Sequence, residues 1–262
     1  LFAMAMPRGS GKTTLAETAC LWAILIGARD FVCLVGSDKD HAINMLDSIR
    51  TECEVNELLL EDYPEAIYPI QCLERIANRA KGQTYHGLPT RINWVGDEIV
   101  MPTIQDSAAS GAIIRVAGIE GRIRGMKYKR ADGRSVRPSL VIIDDPQTDE
   151  SARSPIQIKA RMETLNGAIL NLAGPGQKIS GIMPCTVIRP ADLADQILDR
   201  DKHPQWQGER TKMVYAFPIH EALWSKYAQL RSESFKNDGD GSEATEFYRQ
   251  NRGKGPAPRH DW

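Results

Sequence analysis

The stretch Met6–Ala19, MPRGSGKTTLAETA, decides how the rest of the chain is read. A Gly-Lys-Thr step running straight into helix-forming residues has the makings of a phosphate-binding loop. Gly9 and Gly11 leave backbone N–H groups unhindered, Lys12 can reach β- and γ-phosphates, and the Thr13 hydroxyl can hold Mg²⁺. The candidate nucleotide-binding residues are therefore Arg8, Gly9, Ser10, Gly11, Lys12, Thr13 and Thr14, with ATP and Mg²⁺ as the expected ligands. Where such loops usually carry their first glycine, this chain has Met6. That glycine eases a turn but offers phosphate no side chain. Arg8 places an extra positive charge inside the loop. Leu1–Met6 reads as the strand feeding the loop and Leu15–Ile26 as the helix leaving it.

Hydrolysis needs more than a phosphate loop. A carboxylate must face the metal, and a second acid must orient water. Ser139–Glu150, SLVIIDDPQTDE, supplies both at the end of an apolar run, Leu140–Ile143, that suits a strand buried on both faces. Asp144 is the expected metal-side carboxylate alongside Thr13. Asp145 is the expected general base, and Glu150, farther along the loop, is the second candidate. A pair of aspartates capping a following helix is the ordinary alternative.

The remaining pattern alternates strands with helices and predicts a mostly parallel α/β sheet. Strands are expected at Phe31–Val35, Ala112–Ala117, Leu140–Ile143, Lys178–Met183 and Lys212–Phe217, with a hairpin in Arg91–Met101 around Gly96-Asp97. Helices are expected from Asp38 to about Thr51 with Ser37 as cap, over Pro64–Ala80 and Pro155–Leu172, from Ala191, and twice near the C-terminus. Residues 1–218 are taken as the core and 219–262 as a helical lid or linker.

Composition narrows the function classes. Of 262 residues, 42% are hydrophobic and 26% charged, as in ordinary globular domains, and no apolar run reaches the 18 residues of a membrane span. The five cysteines are odd in number and form no CxxC pair, which favours reduced thiols in a cytosol-like compartment. The five histidines lack HxxxH spacing, so zinc is not expected, and no GxSxG element points to a hydrolase triad. A net charge of −1 gives no global attraction to nucleic acid. One segment is different: between Arg122 and Arg137 stand seven Lys or Arg residues against Asp132 alone, a local charge of +6. That is either a solvated loop or a surface for phosphates.

Three stretches together resemble a known family, the ATPase half of the large terminase subunit of tailed phages, which packages viral DNA. They are the loop PRGSGKTT, the run GIEGRIRGMKYKRADGRSVRPSLVIIDDPQ, and ISGIMPCTVIRPADLADQIL, which is similar to the family's coupling segment. The resemblance spans roughly Phe2–Leu198 and implies a RecA-like ASCE P-loop fold, with an added strand between the two nucleotide motifs. It implies that Arg124, or else Arg122, is an arginine finger reaching a neighbouring subunit. On spacing alone Thr186 reads equally well as a helix cap; the resemblance implies that it senses the γ-phosphate. Where many terminases have Asp-Glu, this chain has Asp144-Asp145.

The implied activity is ATP hydrolysis powering double-stranded DNA into a procapsid. The implied partners are a portal, a small terminase subunit and sister copies in a ring, in the cytoplasm of an infected bacterium and with no membrane. A terminase nuclease domain is not expected within these residues. Rival readings are a helicase-type translocase, which normally adds a second RecA-like domain, a P-loop kinase of a small metabolite, and a nucleotide-gated module without turnover.

Overall fold

A computed structural model describes residues 1–121, 123–130, 133–216 and 220–252. In order, the elements are β1 (Phe2–Ala5), α1 (Lys12–Leu25), β2 (Phe31–Gly36), α2 (Lys39–Val55), α3 (Glu57–Asp62), α4 (Pro64–Gln71), β3 (Thr84–Tyr85), β4 (Leu88–Pro89), β5 (Glu98–Val100) and β6 (Ile113–Gly118). Then follow β7 (Tyr128–Lys129), β8 (Ser135–Val136), β9 (Leu140–Ile143), α5 (Pro155–Thr164), β10 (Ser180–Cys185), α6 (Leu193–Ile197), β11 (Gln207–Arg210), α7 (Glu221–Lys236) and α8 (Ser242–Asn251).

Among the described residues the main sheet has seven strands in the order β11-β1-β10-β9-β2-β6-β5. All neighbours are parallel except β5, which runs antiparallel to β6. β10 lies between β1, which feeds the phosphate loop, and β9, which carries the aspartates. This is the inserted-strand α/β arrangement anticipated above.

Strand alternation builds two cores, one on each face. Val32 and Leu34 of β2, Leu140 and Ile142 of β9, and Ile114 and Val116 of β6 face the layer of α1, α2 and α4. Phe31, Cys33, Val35, Val141, Ile143 and Ile113 face the layer of α5 and α6. Each large aliphatic side chain buried this way contributes roughly 1.5–3 kcal/mol. With both faces covered, β2 and β9 are buried along their whole length.

Several boundaries differ from expectation. Asp38, not Ser37, caps α2: its Oδ1 accepts the His41 N–H at 2.8 Å, and Ser37 Oγ bonds to Asp38 Oδ2 instead. The helix expected over Pro64–Ala80 ends at Gln71; Glu74 and Arg75 take positive φ before a 3-10 turn at Ala77–Ala80. The strand expected at Lys212–Phe217 is absent among described residues 212–216, and Met213 and Tyr215 are exposed there. The edge strand is the polar Gln207–Arg210, which pairs with β1 through its backbone. Phe217, Arg122, Asp132 and the tail from Gly253 lie outside the described residues.

The chain forms two compact units, residues 1–211 and a second beginning at Lys212. In the second, α7 and α8 form a helical pair in which the rings of Trp224, Tyr227 and Tyr248 stand 5.7 to 6.4 Å apart. No helix among the described residues is long and apolar enough to cross a membrane.

Candidate nucleotide site

The loop between β1 and α1 has the backbone that phosphate binding requires. Gly9 and Gly11 have φ of +79° and +75°, and nothing stands within 4 Å of where either Cβ would be. Glycine is needed there for conformation, and the space in front stays open. Gly11 opens α1 with no side-chain cap, so the first-turn N–H groups keep no side-chain partner. Met6 has no positive φ and its N–H bonds to Cys185 O at 2.9 Å, so its position asks for no glycine. Ser10 Oγ bonds to Pro7 O, and Thr14 is exposed.

Parallel registry then carries the carboxylates to the loop. Val35 pairs with Ile143, and Asp144 N–H bonds to Val35 O, while Asp145 N–H bonds to Pro184 O on β10. Asp144 is fully buried; Thr13 Oγ1 donates to its Oδ2 at 2.6 Å, and its Oδ1 has no partner. Lys12 is buried, donates to Pro7 O at 3.2 Å, and lies 3.8 Å from Asp145 Oδ2. Asp145 has φ 38°, a left-handed backbone that costs a non-glycine residue about 1–2 kcal/mol. Its Oδ1 accepts the Thr186 hydroxyl at 3.1 Å. Burial pushes the Asp145 carboxyl above its ordinary pKa; Lys12 opposes this, and the Asp144 charge adds to it.

Lys12, Thr13, Asp144, Asp145 and Thr186 thus meet at one end of the sheet. Other expected residues stand apart. Arg8 pairs with Asp149 at the surface. Glu150 is exposed before the 3-10 turn Ser151–Arg153, with no side-chain bond to the cluster. Arg124 is exposed, lining a cavity of about 580 Å³ with Lys39, Asp97, Arg115, Glu120 and Lys127. Of the basic segment, Ile123 and Met126 are buried, Tyr128–Lys129 and Ser135–Val136 form a small hairpin, and Arg130 pairs with Asp30. It is less of a free loop than its composition implied.

Sequence reading missed two participants. His41, on the first turn of α2, places Nε2 3.4 Å from Asp144 Oδ2, which raises the imidazole's pKa. No spacing reveals this, because the contact arises from β2 lying beside β9. Gln147 is buried and ties the carboxylate loop to the segment after β10: its Nε2 donates to Thr186 O at 2.9 Å and Asp192 Oδ2 at 2.8 Å, and its Oε1 accepts Leu193 N–H. Asp192 also caps α6 through Asp195 N–H. Gln147 stands in the IDDPQ run, where only its closeness to the aspartates could have marked it.

The site suits a magnesium nucleotide: an open N–H cradle, a buried lysine, and a buried aspartate with one oxygen unpartnered beside a threonine hydroxyl. Among the described residues no group of three or more His, Cys, Asp or Glu could hold a metal. Magnesium at phosphate sites takes few protein ligands, the remainder being water and phosphate oxygens.

No family profile matches the chain, and no curated protein does. Among solved structures, a point mutant of the large terminase ATPase domain of Thermus phage P74-26 aligns with 88% of this chain and 82% of its own, at a TM-score of 0.41 and 12% identity.

Proposed function

We propose that this chain is an ATP-hydrolysing motor domain of the terminase large-subunit kind, driving double-stranded DNA into a procapsid. The observation that carries the ATPase reading is the meeting of Lys12, Thr13, Asp144, Asp145 and Thr186 at the ends of β1, β9 and β10. The DNA-packaging reading is supported by the three terminase-like stretches and by the cationic run Arg122–Arg137.

Lys12 neutralises phosphate charge, and the open first turn of α1 receives phosphate oxygens. Thr13 and Asp144 would hold the Mg²⁺ that accompanies ATP, which when bound offsets charge on the β- and γ-phosphates. Asp145 takes the proton from the attacking water, and its burial makes the carboxylate a better base than a solvated one. Thr186, bonded to Asp145, registers the γ-phosphate, and Gln147 relays its position to α6. Arg124 acts on a neighbouring subunit's nucleotide, and the other exposed cations of the segment meet DNA phosphates without reading sequence. A portal, a small terminase subunit and a ring of sister copies complete the machine.

Phosphate release, measured with and without duplex DNA and with products identified, tests this. ADP and inorganic phosphate, stimulated by DNA and abolished in a folded Lys12→Ala variant, is the expected result. Phosphate transferred to a metabolite makes the chain a kinase; binding without turnover makes it a gated module. Unchanged turnover in Lys12→Ala removes the nucleotide site itself.

A further inference from the structure

Arg161 is a buried arginine on α5 that contacts none of the nucleotide-site side chains. Its side chain is 7% exposed, and its guanidinium binds two separate loops. Nη1 donates to Pro146 O and to Ser151 Oγ, each at 2.8 Å. Nε and Nη2 donate to Glu120 Oε1 at 3.2 and 2.8 Å. Pro146 and Ser151 belong to the loop that leaves Asp145. Glu120 belongs to the turn that opens the basic segment, just beyond β6.

A guanidinium fixes its acceptors in one planar geometry, and when buried it is costly to leave unpaired. Displacing the carboxylate loop therefore strands Arg161 or drags it along. The same helix layer seats the basic segment at two further points. Ile123 is buried in one cluster with Leu165 and Ile169, residues of a π-helical turn continuing α5. In that turn, Arg124 Nη2 lies 3.1 Å from where a Cβ on Gly167 would stand, so the guanidinium packs closely on this glycine. Irregular turns of this kind often accompany functional positions.

We propose that Arg161 is a positioning residue coupling the two halves of the machine: movement of residues 145–151 as nucleotide binds passes through Arg161 to Glu120, and so to Arg124. The coupling rests on the nucleotide site proposed above and extends it to the orientation of the arginine offered to a neighbour. The physical requirement is a single element whose placement both sites bias. Loop 145–151 qualifies, held by Gln147 toward Thr186 and by Arg161 toward Glu120.

The test is hydrogen–deuterium exchange on the full chain, with and without Mg·ATP, in wild type, Glu120→Ala, Glu120→Gln and Arg161→Lys. Glu120 is 67% exposed at its side chain, and Glu120→Gln keeps an acceptor for the buried Arg161, so it is the variant whose fold is least disturbed; circular dichroism checks the fold of all three. In wild type, Mg·ATP should slow exchange at residues 7–14 and also at 119–127. Glu120→Ala should keep the first response and lose most of the second. Glu120→Gln, which retains an acceptor oxygen, should recover part of it, and Arg161→Lys should behave like Glu120→Ala. A purely structural contact would instead raise exchange at 119–127 equally with and without nucleotide, which overturns the coupling. So does a wild-type chain that responds at 7–14 but not at 119–127. No response at 7–14 in wild type removes the nucleotide site and the coupling together.

Discussion

The carboxylate cluster and the start of the basic segment both leave the C-terminal ends of parallel strands, β9 and β6, yet they are finished to different degrees. Lys12, Thr13, Asp144, Asp145 and Thr186 face one another inside one chain, held by parallel strand ends whose register leaves little freedom. Lys127 and Lys129 are instead exposed on a segment whose apolar Ile123 and Met126 join the core, and Arg124, also exposed, lays its guanidinium beside Gly167. Anchored roots with exposed tips are what a surface needs to present cations to another molecule at low ordering cost. The difference bears on the proposed motor: the groups proposed to bind nucleotide and activate water meet within the chain, while the arginine proposed to act in trans is exposed.

The strongest way to break that comparison is to remove Arg124. In an assembled state, Arg124→Ala should lower turnover by roughly 10³–10⁵, the range of a trans-acting arginine. Mixing it with a Lys12→Ala chain, which keeps Arg124, should restore part of the activity in a steady-state phosphate assay. A dead mixture, with specific activity flat across protein concentration, would place the finger in cis, with Arg8 the obvious substitute.

Next in size is the base. Asp145→Asn should still bind Mg·ATP but hydrolyse it about 10²–10⁴-fold more slowly, and Glu150→Gln should stay near wild type. The exposed position of Glu150, away from Lys12 and Asp144, motivates the contrast. The opposite ranking in single-turnover kinetics reverses the two roles.

A third effect bears on how firmly the basic segment is rooted. Ile123→Ala removes a side chain that is 1% exposed and should cost about 2–5 kcal/mol in urea unfolding if its site is packed like the core. A loss below about 0.5 kcal/mol, the range of ordinary surface substitutions, would mean that the segment is not held against the π-helical turn.

The candidate nucleotide site was legible as a pattern because its motifs are local. Gly9, Gly11 and Lys12 sit within one turn, and an all-apolar run ends in Asp144 and Asp145, so pattern and chemistry coincide. What escaped depends on strand order. His41 reaches Asp144 because β2 lies beside β9, and Arg161 joins Glu120 to Pro146 across stretches of chain that no spacing rule links. The edge strand Gln207–Arg210 escaped for a different reason: three of its four residues are exposed, so its pairing with β1 leaves no hydrophobic period. The strand expected at Lys212–Phe217 misled for the converse reason, since Met213 and Tyr215 stay in solvent.

The smallest effect concerns the first turn of α2, which touches both regions: His41 reaches Asp144, and Lys39 lines the cavity that Arg124 also lines. Asp38 caps that turn by accepting the His41 N–H, and this bond holds its carboxyl below the ordinary pKa of 3.8. Asp38→Ala should therefore cost about 1 kcal/mol at neutral pH, or roughly 2–4 °C in Tm for a unit of this size. The sign with pH follows from proton binding. Between the folded and unfolded pKa values the unfolded chain binds more protons, so the cap's contribution is present above about pH 3.8 and is lost as pH falls through the folded value. The gap in stability between wild type and Asp38→Ala should accordingly narrow in acid. Turnover per folded subunit should not change, because the cap supports α2 and touches no reacting group. If turnover falls with stability, α2 is a second bridge between the cluster and the cationic surface, and Arg161 is not their only link.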